Sequence, residues 1–532
     1  MKVVRKTVPQ MIEEISQENP QAEALIATEA GQRYTYTLLA WETDRVAQGF
    51  LATGVVRGDR VALWAPNIPE WIIAMLALAR IGAVLVPVDP GLQKDDLLYI
   101  LNHSDCRHVI LTPGMEDESF VNMLQEVRPG LPGLENVYLI SDKTYPETIP
   151  WGELTARGEE SNGSSLREMT DVLTPEDPIA IMYTSGTTGE PKGVVLDHLG
   201  LINKSLFSTD RQGITAGDRL CLFFPLFHMF GNTCIALSGL IRGAALVMPC
   251  KTFEPEAVLR AIHKEQCTAV YGTPGMLIGL IDHPDFRAKR WSTVIRGIIG
   301  GAPCPMELMK RLVEDIGISR ITVGYGITEA SSWITMTKPD DPIDLRVSSI
   351  GTPLECNEVK IIDPATGKDQ PRGSQGELCT RGFLMKEYYK LPEATASAID
   401  PEGWFHTGDL GVMDEKGYLR TTGRLKDVIL RDGVVIHPVE VEEILYRMPE
   451  ISEVQVFGFP HSKGGQQMAA WVRFKEGAGT GLEEIEARLQ DLLSPEMRPD
   501  RIKIVDDFPR TRSGKVQKFK LAGMAEAEYR SD

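Results

Sequence analysis

From Tyr36 to about Ile299 the chain alternates two hydrophobic periods, and this limits the possible fold more than any other feature. Residues 36–53 carry apolar side chains at helical spacing, and residues 60–65 form a short apolar run. Residues 70–80 are helical again, residues 83–88 are a second apolar run, and 95–104 and 108–112 repeat the helix–strand pair. Strands separated by helices predict parallel, doubly wound sheets, with crossovers covering both faces. The rhythm returns after Ser205, with a strand at 244–248, a helix at 255–265 and a strand at 269–271. Two α/β layers are therefore expected before residue 330. No short-period repeat is present.

The texture changes after Ser349. Short apolar runs at 358–363 and 376–381, and around Leu410 and Leu419, are separated by Gly-containing turns, which predicts an antiparallel sheet or small β-barrel. From Leu425 a compact α+β unit is expected, with helices at 438–447 and 482–493 and strands at 453–459 and 469–474. The chain, 532 residues long, exceeds one compact core. The expected fold is a large N-terminal domain, residues 1–425, followed by a smaller α+β domain, residues 426–532. The end of the second domain is basic (Arg498, Arg501, Lys503, Arg510, Arg512, Lys515, Lys518 and Lys520), which is either a solvated face or an edge that meets phosphates.

Charge and cysteines exclude several classes. With 56 basic and 74 acidic side chains the formal charge is −18, so no global positive field exists to attract nucleic acid. The eight cysteines are scattered without a Cys-x-x-Cys pair, which predicts reduced residues of a cytoplasmic protein and implies no zinc site. The N-terminal residues lack the apolar core of a secretion signal. Residues 71–88 are the most hydrophobic stretch, but Arg80, Gly82 and Pro87 interrupt it, so a buried helix running into a buried strand is expected rather than a membrane span.

The chemistry concentrates in residues 183–193, Tyr-Thr-Ser-Gly-Thr-Thr-Gly-Glu-Pro-Lys-Gly. Glycines let a backbone approach closely and turn several N–H groups one way, hydroxyls add donors, and Lys192 adds charge. A Gly/Thr-rich loop alone is more often a flexible linker, but this eleven-residue string is more specific and has the chemistry of a polyphosphate cradle. It is not a Walker A loop, since Pro191 precedes the lysine and no Ser or Thr follows it.

That string resembles the phosphate loop of the adenylate-forming superfamily: acyl- and aryl-CoA synthetases, peptide-synthetase adenylation domains and beetle luciferases. The resemblance runs in order through residues 224–231, 300–303, 324–329, 406–409, 423–424 and 509–515. It implies ATP binding by Thr184, Ser185, Gly186, Thr187, Thr188, Gly189 and Lys192, and by Gly301, Ala302, Pro303, Gly324, Tyr325, Gly326 and Thr328. Asp409 and Arg424 would hold the ribose and Lys515 the α-phosphate. Catalysis would fall to Lys515, Glu329, Thr184 and His228, with Glu329 and Thr184 holding Mg2+. Phe227, His228, Gly301, Gly324, Gly326, Ile327 and Trp333 would line the acyl pocket. Cys304, beside them, is expected to pack or to line the pocket, since no histidine partner is near in sequence.

Each role agrees with elementary chemistry. A carboxylate attacking a phosphate brings two anions together, so cations aimed at the crowded charge must stabilise the transition state. Hard oxygens suit magnesium, an aromatic face suits adenine, and a carboxylate suits two ribose hydroxyls.

In such enzymes the C-terminal domain swings about a hinge, here Lys426, exchanging the catalytic lysine for a thiol tunnel. Gly433 and Arg431 would then contact coenzyme A, although Asp432, Val434 and Val435 depart from the usual pattern. The expected reaction converts a carboxylic acid and ATP into acyl-AMP and pyrophosphate, then into the CoA thioester. The alternative is a stand-alone adenylating enzyme that hands the acyl group to a carrier protein or another acceptor. Residues 222–228 offer no acidic group for a substrate amine. Acetate-specific relatives carry tryptophan where Gly326 stands, so a medium-sized apolar acid is expected: aromatic, alicyclic, or short to medium chain. No nucleic-acid partner is expected, and a homodimer stays open.

Overall fold

A computed structural model describes residues 2–115, 117–160, 164–184, 190–431, 434–460, 465–475, 477, 481–510 and 516–529. The chain divides into two compact units, one of residues 1–358 and 380–405, the other of residues 359–379 and 406–532. The second unit therefore takes in a piece of chain well before residue 426.

The first unit holds the two expected α/β layers. One sheet has eight strands, in the order Glu387–Tyr388, Lys192–Asp197, Pro178–Thr184, Val84–Pro87, Arg60–Trp64, Cys106–Leu111, Asn136–Leu139 and Ile149–Pro150. From Pro178–Thr184 to Ile149–Pro150 every pair is parallel, and the Lys192–Asp197 and Glu387–Tyr388 strands close one edge antiparallel. The other sheet has nine strands, with a parallel centre running Arg320–Ile327, Arg296–Gly300, Ala269–Gly272, Arg219–Cys221, Ala245–Met248 and Glu23–Ala27. Antiparallel strands Ser332–Met336 and Gln32–Thr35 flank it. The hydrophobic stretch is the helix Pro69–Ile81, buried along its whole apolar length, followed by the strand Val84–Pro87. Gly82, at φ 70°, ends the helix in the left-handed conformation that glycine adopts without steric cost. Among the described residues no helix is long and apolar enough to cross a membrane.

In the second unit, the turn-rich segment forms a four-stranded sheet of Glu358–Ile362, Gln375–Arg381, Phe405–Met413 and Leu419–Arg424, the sheet-like of the two forms its sequence allowed. The hairpin Ile429–Arg431/Val434–Ile436 leads to a three-stranded sheet, Ile451–Pro460, Gln466–Phe474 and Arg501–Ile504. Helices Pro438–Tyr446 and Leu482–Leu492 bury Val441, Leu445, Ile485 and Leu489 against Val454, Val456 and Val472.

Candidate active site

In an open parallel sheet, ligands bind beyond the carboxyl ends of the strands, where loops leave the layer. Two such ends carry chemistry here. In Pro178–Thr184 the strand is buried until Tyr183 and Thr184, which are half-exposed, and in Arg320–Ile327 burial stops at Gly324. Tyr325, Gly326, Ile327, Thr328 and Glu329 are all half-buried. Gly301, Ala302 and Pro303 are exposed at the end of the neighbouring strand, with Gly301 at φ 84°.

Ser185, Gly186, Thr187, Thr188 and Gly189 lie outside the described residues, as do Gly433 and Lys515. The flanks of the phosphate loop are fixed. The Tyr183 hydroxyl lies 2.7 Å from His103 Nδ1, the Tyr99 hydroxyl donates to the Pro191 carbonyl (3.1 Å), and Tyr389 N donates to the Gly193 carbonyl (2.7 Å). Thr184 and Lys192 face each other across the antiparallel pair.

Tyr388 links the ends of the two layers, a role invisible in its sequence context. Its hydroxyl donates to Glu329 Oε1 at 2.9 Å, and Lys192 Nζ stands 4.9 Å from the centre of its ring. The backbone explains this placement. Met385 N donates to the Glu329 carbonyl (2.7 Å), and Tyr388 then pairs with Val194 on the edge of the other sheet. One aromatic residue thus brings together a cation suited to phosphate and a carboxylate suited to a hard metal. Burial and the neighbouring Glu329 carboxylate push the Tyr388 hydroxyl well above the ordinary phenol range, so it stays a donor. Tyr388 sits in Glu-Tyr-Tyr-Lys, which reads as an ordinary edge strand.

The segment carrying His228 is almost wholly buried. From Cys221 to Leu240 only Pro225, Phe227 and His228 are partly exposed. Asn67, a second residue the sequence did not single out, pins this loop: it donates to the Phe224 carbonyl (3.0 Å) and accepts from Leu226 N (2.9 Å). Asn232 donates to the Leu226 carbonyl (3.0 Å). Phe230 N donates to His228 Nδ1 (3.1 Å), which leaves the ring proton on Nε2. Cys304 is buried and its thiol is pushed up to about 12, which makes it a packing residue and not a nucleophile.

Gly300 and Gly324 are register partners. A Cβ on either would meet the Trp333 ring at 2.8 Å, so the indole occupies the space both glycines leave. Trp333 also meets Phe230 edge-on at 5.2 Å between ring centres. Gly326 is different: a Cβ there would lie 2.1 Å from the Ser332 carbonyl oxygen. Strand pairing therefore requires glycine at 326, whereas beside Gly300 and Gly324 it is the Trp333 ring that fills the space.

In the second unit Asp409 and Arg424 are register partners, and Arg424 Nε pairs with Asp409 Oδ1 at 2.9 Å. Nearby, Glu377 Oε1 accepts from Gly408 N (3.0 Å), His406 Nδ1 lies 3.0 Å from Glu377 Oε2, and Cys379 Sγ lies 3.7 Å from the same nitrogen. These atoms have metal-ligand types and spacing, yet they are bonded to one another and brace the turn that presents Asp409. Arg431 donates to Asp500 Oδ2 (2.9 Å) and to the carbonyls of Arg498, Pro495 and Glu496, tying its hairpin to the segment 495–500. Lys426 lies in a single helical turn, Leu425–Asp427.

Fold and site together define an adenylate-forming enzyme. A model described as AMP-binding enzyme matches residues 12–389, and one for the AMP-binding enzyme C-terminal domain matches residues 440–515. The chain belongs to the AMP-binding enzyme family. It is 39% identical to the putative acyl-CoA synthetase YngI of Bacillus subtilis, across 98% of this chain and 97% of that one. It is 34% identical to the human mitochondrial medium-chain acyl-CoA ligase ACSF2, across 97% of this chain and 87% of that one. Among solved structures, ATP-bound MatB from Rhodopseudomonas palustris superposes with a TM-score of 0.87 at 27% identity, covering 98% of this chain and 100% of that one.

Proposed function

We propose that this chain is an AMP-forming acid–thiol ligase. It joins ATP to a medium-sized apolar carboxylic acid, releases pyrophosphate, and passes the acyl group to coenzyme A. The convergence of Lys192 and Glu329 on Tyr388 carries this proposal, because it sets a phosphate cation and a hard oxygen ligand at one sheet edge. The named activities of YngI and ACSF2 support it.

Thr184 and Glu329 offer hydroxyl and carboxylate oxygens, partly open to solvent, and this donor set fits Mg2+. Bound there, the ion supplies charge neutralisation on the phosphates. The chain does the rest. Lys192 draws in the polyphosphate, Tyr388 holds the Glu329 carboxylate in one orientation, and Tyr325 offers a face to adenine. In the second unit, Asp409 accepts from the ribose hydroxyls and Arg424 donates to the sugar. Lys515 supplies the cation for the adenylation step, after which residues 426–532 turn about Lys426 and bring Gly433 to the thiol. Around the acid, Trp333, Phe227 and Ile327 make an apolar wall that favours a ring or a medium chain over acetate.

The test is pyrophosphate release with acetate, hexanoate, benzoate, cyclohexanecarboxylate and palmitate, each with and without coenzyme A. A medium-sized acid should be best, with kcat/KM rising by severalfold per added CH2 until the pocket fills, since each buried CH2 contributes about 0.8 kcal/mol. Acetate as the best substrate overturns the pocket assignment. Pyrophosphate release with no thioester formed identifies a different acceptor.

A further inference from the structure

Lys204 is a lysine with no exposed surface, on the helix His198–Gln212. Among the described residues no carboxylate lies within ion-pair distance of it. An ammonium so placed costs several kcal/mol in lost hydration unless it is well bonded, and burial pulls Lys204 down to about 8. An apolar side chain of that length would pack there at lower cost. Its bonds therefore show what it holds.

They converge on one stretch of backbone. Lys204 Nζ donates to the Trp333 carbonyl at 3.3 Å and, through a short bond, to Asn357 Oδ1. Asn357 Nδ2 donates to the same Trp333 carbonyl (3.1 Å) and to the Ile334 carbonyl (2.7 Å), which also accepts from Leu354 N (3.0 Å). The strand Ser332–Met336 is irregular here. Gly326 pairs with Trp333 but Tyr325 pairs with Thr335, so Ile334 is an extra residue without an opposite number. The adjoining strand, Thr352–Pro353, pairs only with Thr335 and Met336. Ser331 at φ 55° and Ser332 at φ 119° enter the strand in left-handed conformations that cost about 1–3 kcal/mol each and need support from their surroundings. On the Thr352–Pro353 side the ladder ends before Trp333, and there Lys204 and Asn357 take up the Trp333 carbonyl instead. The indole they anchor is the one lying against Gly300 and Gly324.

We propose that Lys204, acting with Asn357, is a positioning residue for acyl selection: it locks the Trp333 backbone in the bulge and thereby fixes how deep an acid can reach. The proposal rests on the acyl-ligase assignment above and adds a specificity determinant that touches no substrate. A merely structural lysine would, when replaced, weaken the enzyme equally toward every acid. A positioning lysine changes the ranking.

The experiment measures pyrophosphate release by the full chain and by Lys204→Met, Lys204→Gln and Asn357→Ser across straight-chain acids from acetate to dodecanoate. With Lys204→Met, the ratio of kcat/KM for the best acid of the parent to that for an acid two carbons longer should fall about tenfold, the scale of one or two methylenes in a pocket, while KM for ATP stays unchanged. Lys204→Gln, which restores a neutral donor, should recover most of the parental ranking. Asn357→Ser should shift it in the same direction as Lys204→Met, and it carries the comparison if Lys204→Met does not fold. Profiles that drop by one common factor for all acids overturn the positioning role. A parent inactive on every acid, the ring acids of the earlier panel included, overturns the ligase assignment and this inference with it.

Discussion

At the scale of single residues, Tyr388 is the sharpest point of the site. Its hydroxyl orients Glu329 and its ring sits against Lys192, so two substitutions separate the functions. Tyr388→Phe keeps the ring and removes the hydrogen bond to Glu329. A partner one step removed from a metal typically accounts for about 10–100-fold in affinity or activity. The expected result is a loss on that scale, seen as a raised Mg2+ requirement in pyrophosphate release, with KM for the acid unchanged. Tyr388→Leu should add a rise in KM for ATP, because Lys192 loses the ring beneath it. Unaltered Mg2+ dependence in Tyr388→Phe removes the tyrosine from the site. Sequence could not reveal this residue. Glu329, Thr184 and Lys192 announce themselves through local strings of glycines and hydroxyls, whereas Tyr388 acts through a chain reversal that only the fold creates. Asn67 escaped notice for the same reason, since it pins a loop more than 150 residues away.

Elements were legible where one hydrophobic period dominates. The helices Tyr36–Ala52 and Pro69–Ile81 and the strands Arg60–Trp64 and Val84–Pro87 fall within a residue or two of expectation, since apolar spacing alone decides them. The irregular places were not legible. The π-helix Phe230–Leu237 and the bulge at Ile334 arise from packing between layers, and both adjoin Trp333. Gly326 shows how this matters. Its sequence context implies an open floor, but a Cβ there would meet the Ser332 carbonyl oxygen at 2.1 Å. Gly326→Ala should therefore destabilise the protein by about 1–3 kcal/mol or more, the range for overpacking. Urea unfolding of the variant checks this, and an unchanged midpoint means that the strand pair can shift. A tryptophan at 326 is for this reason a poor plug, and substrate size is better probed at Trp333.

For the whole molecule, the decisive question is whether residues 426–532 exchange Lys515 for Gly433 at the site between half-reactions. If they do, Lys515→Ala should slow acyl-AMP formation by at least about 10²-fold, the loss expected for a group aimed at transition-state charge. The same variant should still make thioester from supplied acyl-AMP, and Gly433→Trp should show the reverse. Equal damage to both steps in either variant excludes the exchange. The division of the chain carries a further consequence, for how the protein is made. The backbone crosses between units three times, at 358/359, 379/380 and 405/406. During synthesis, Gln375–Arg381 can pair with Glu358–Ile362 but not yet with Phe405–Met413, which emerges later. At about 5–20 residues per second, the strand waits on the order of seconds with one hydrogen-bonding edge bare. Two lone strands are barely stable in water. The nascent chain therefore passes through an interval in which a sheet destined for the second unit hangs open while the first is still being completed. Ribosomes stalled once Gln375–Arg381 has left the exit tunnel, but before Phe405–Met413 has, would display the edge most in need of a chaperone.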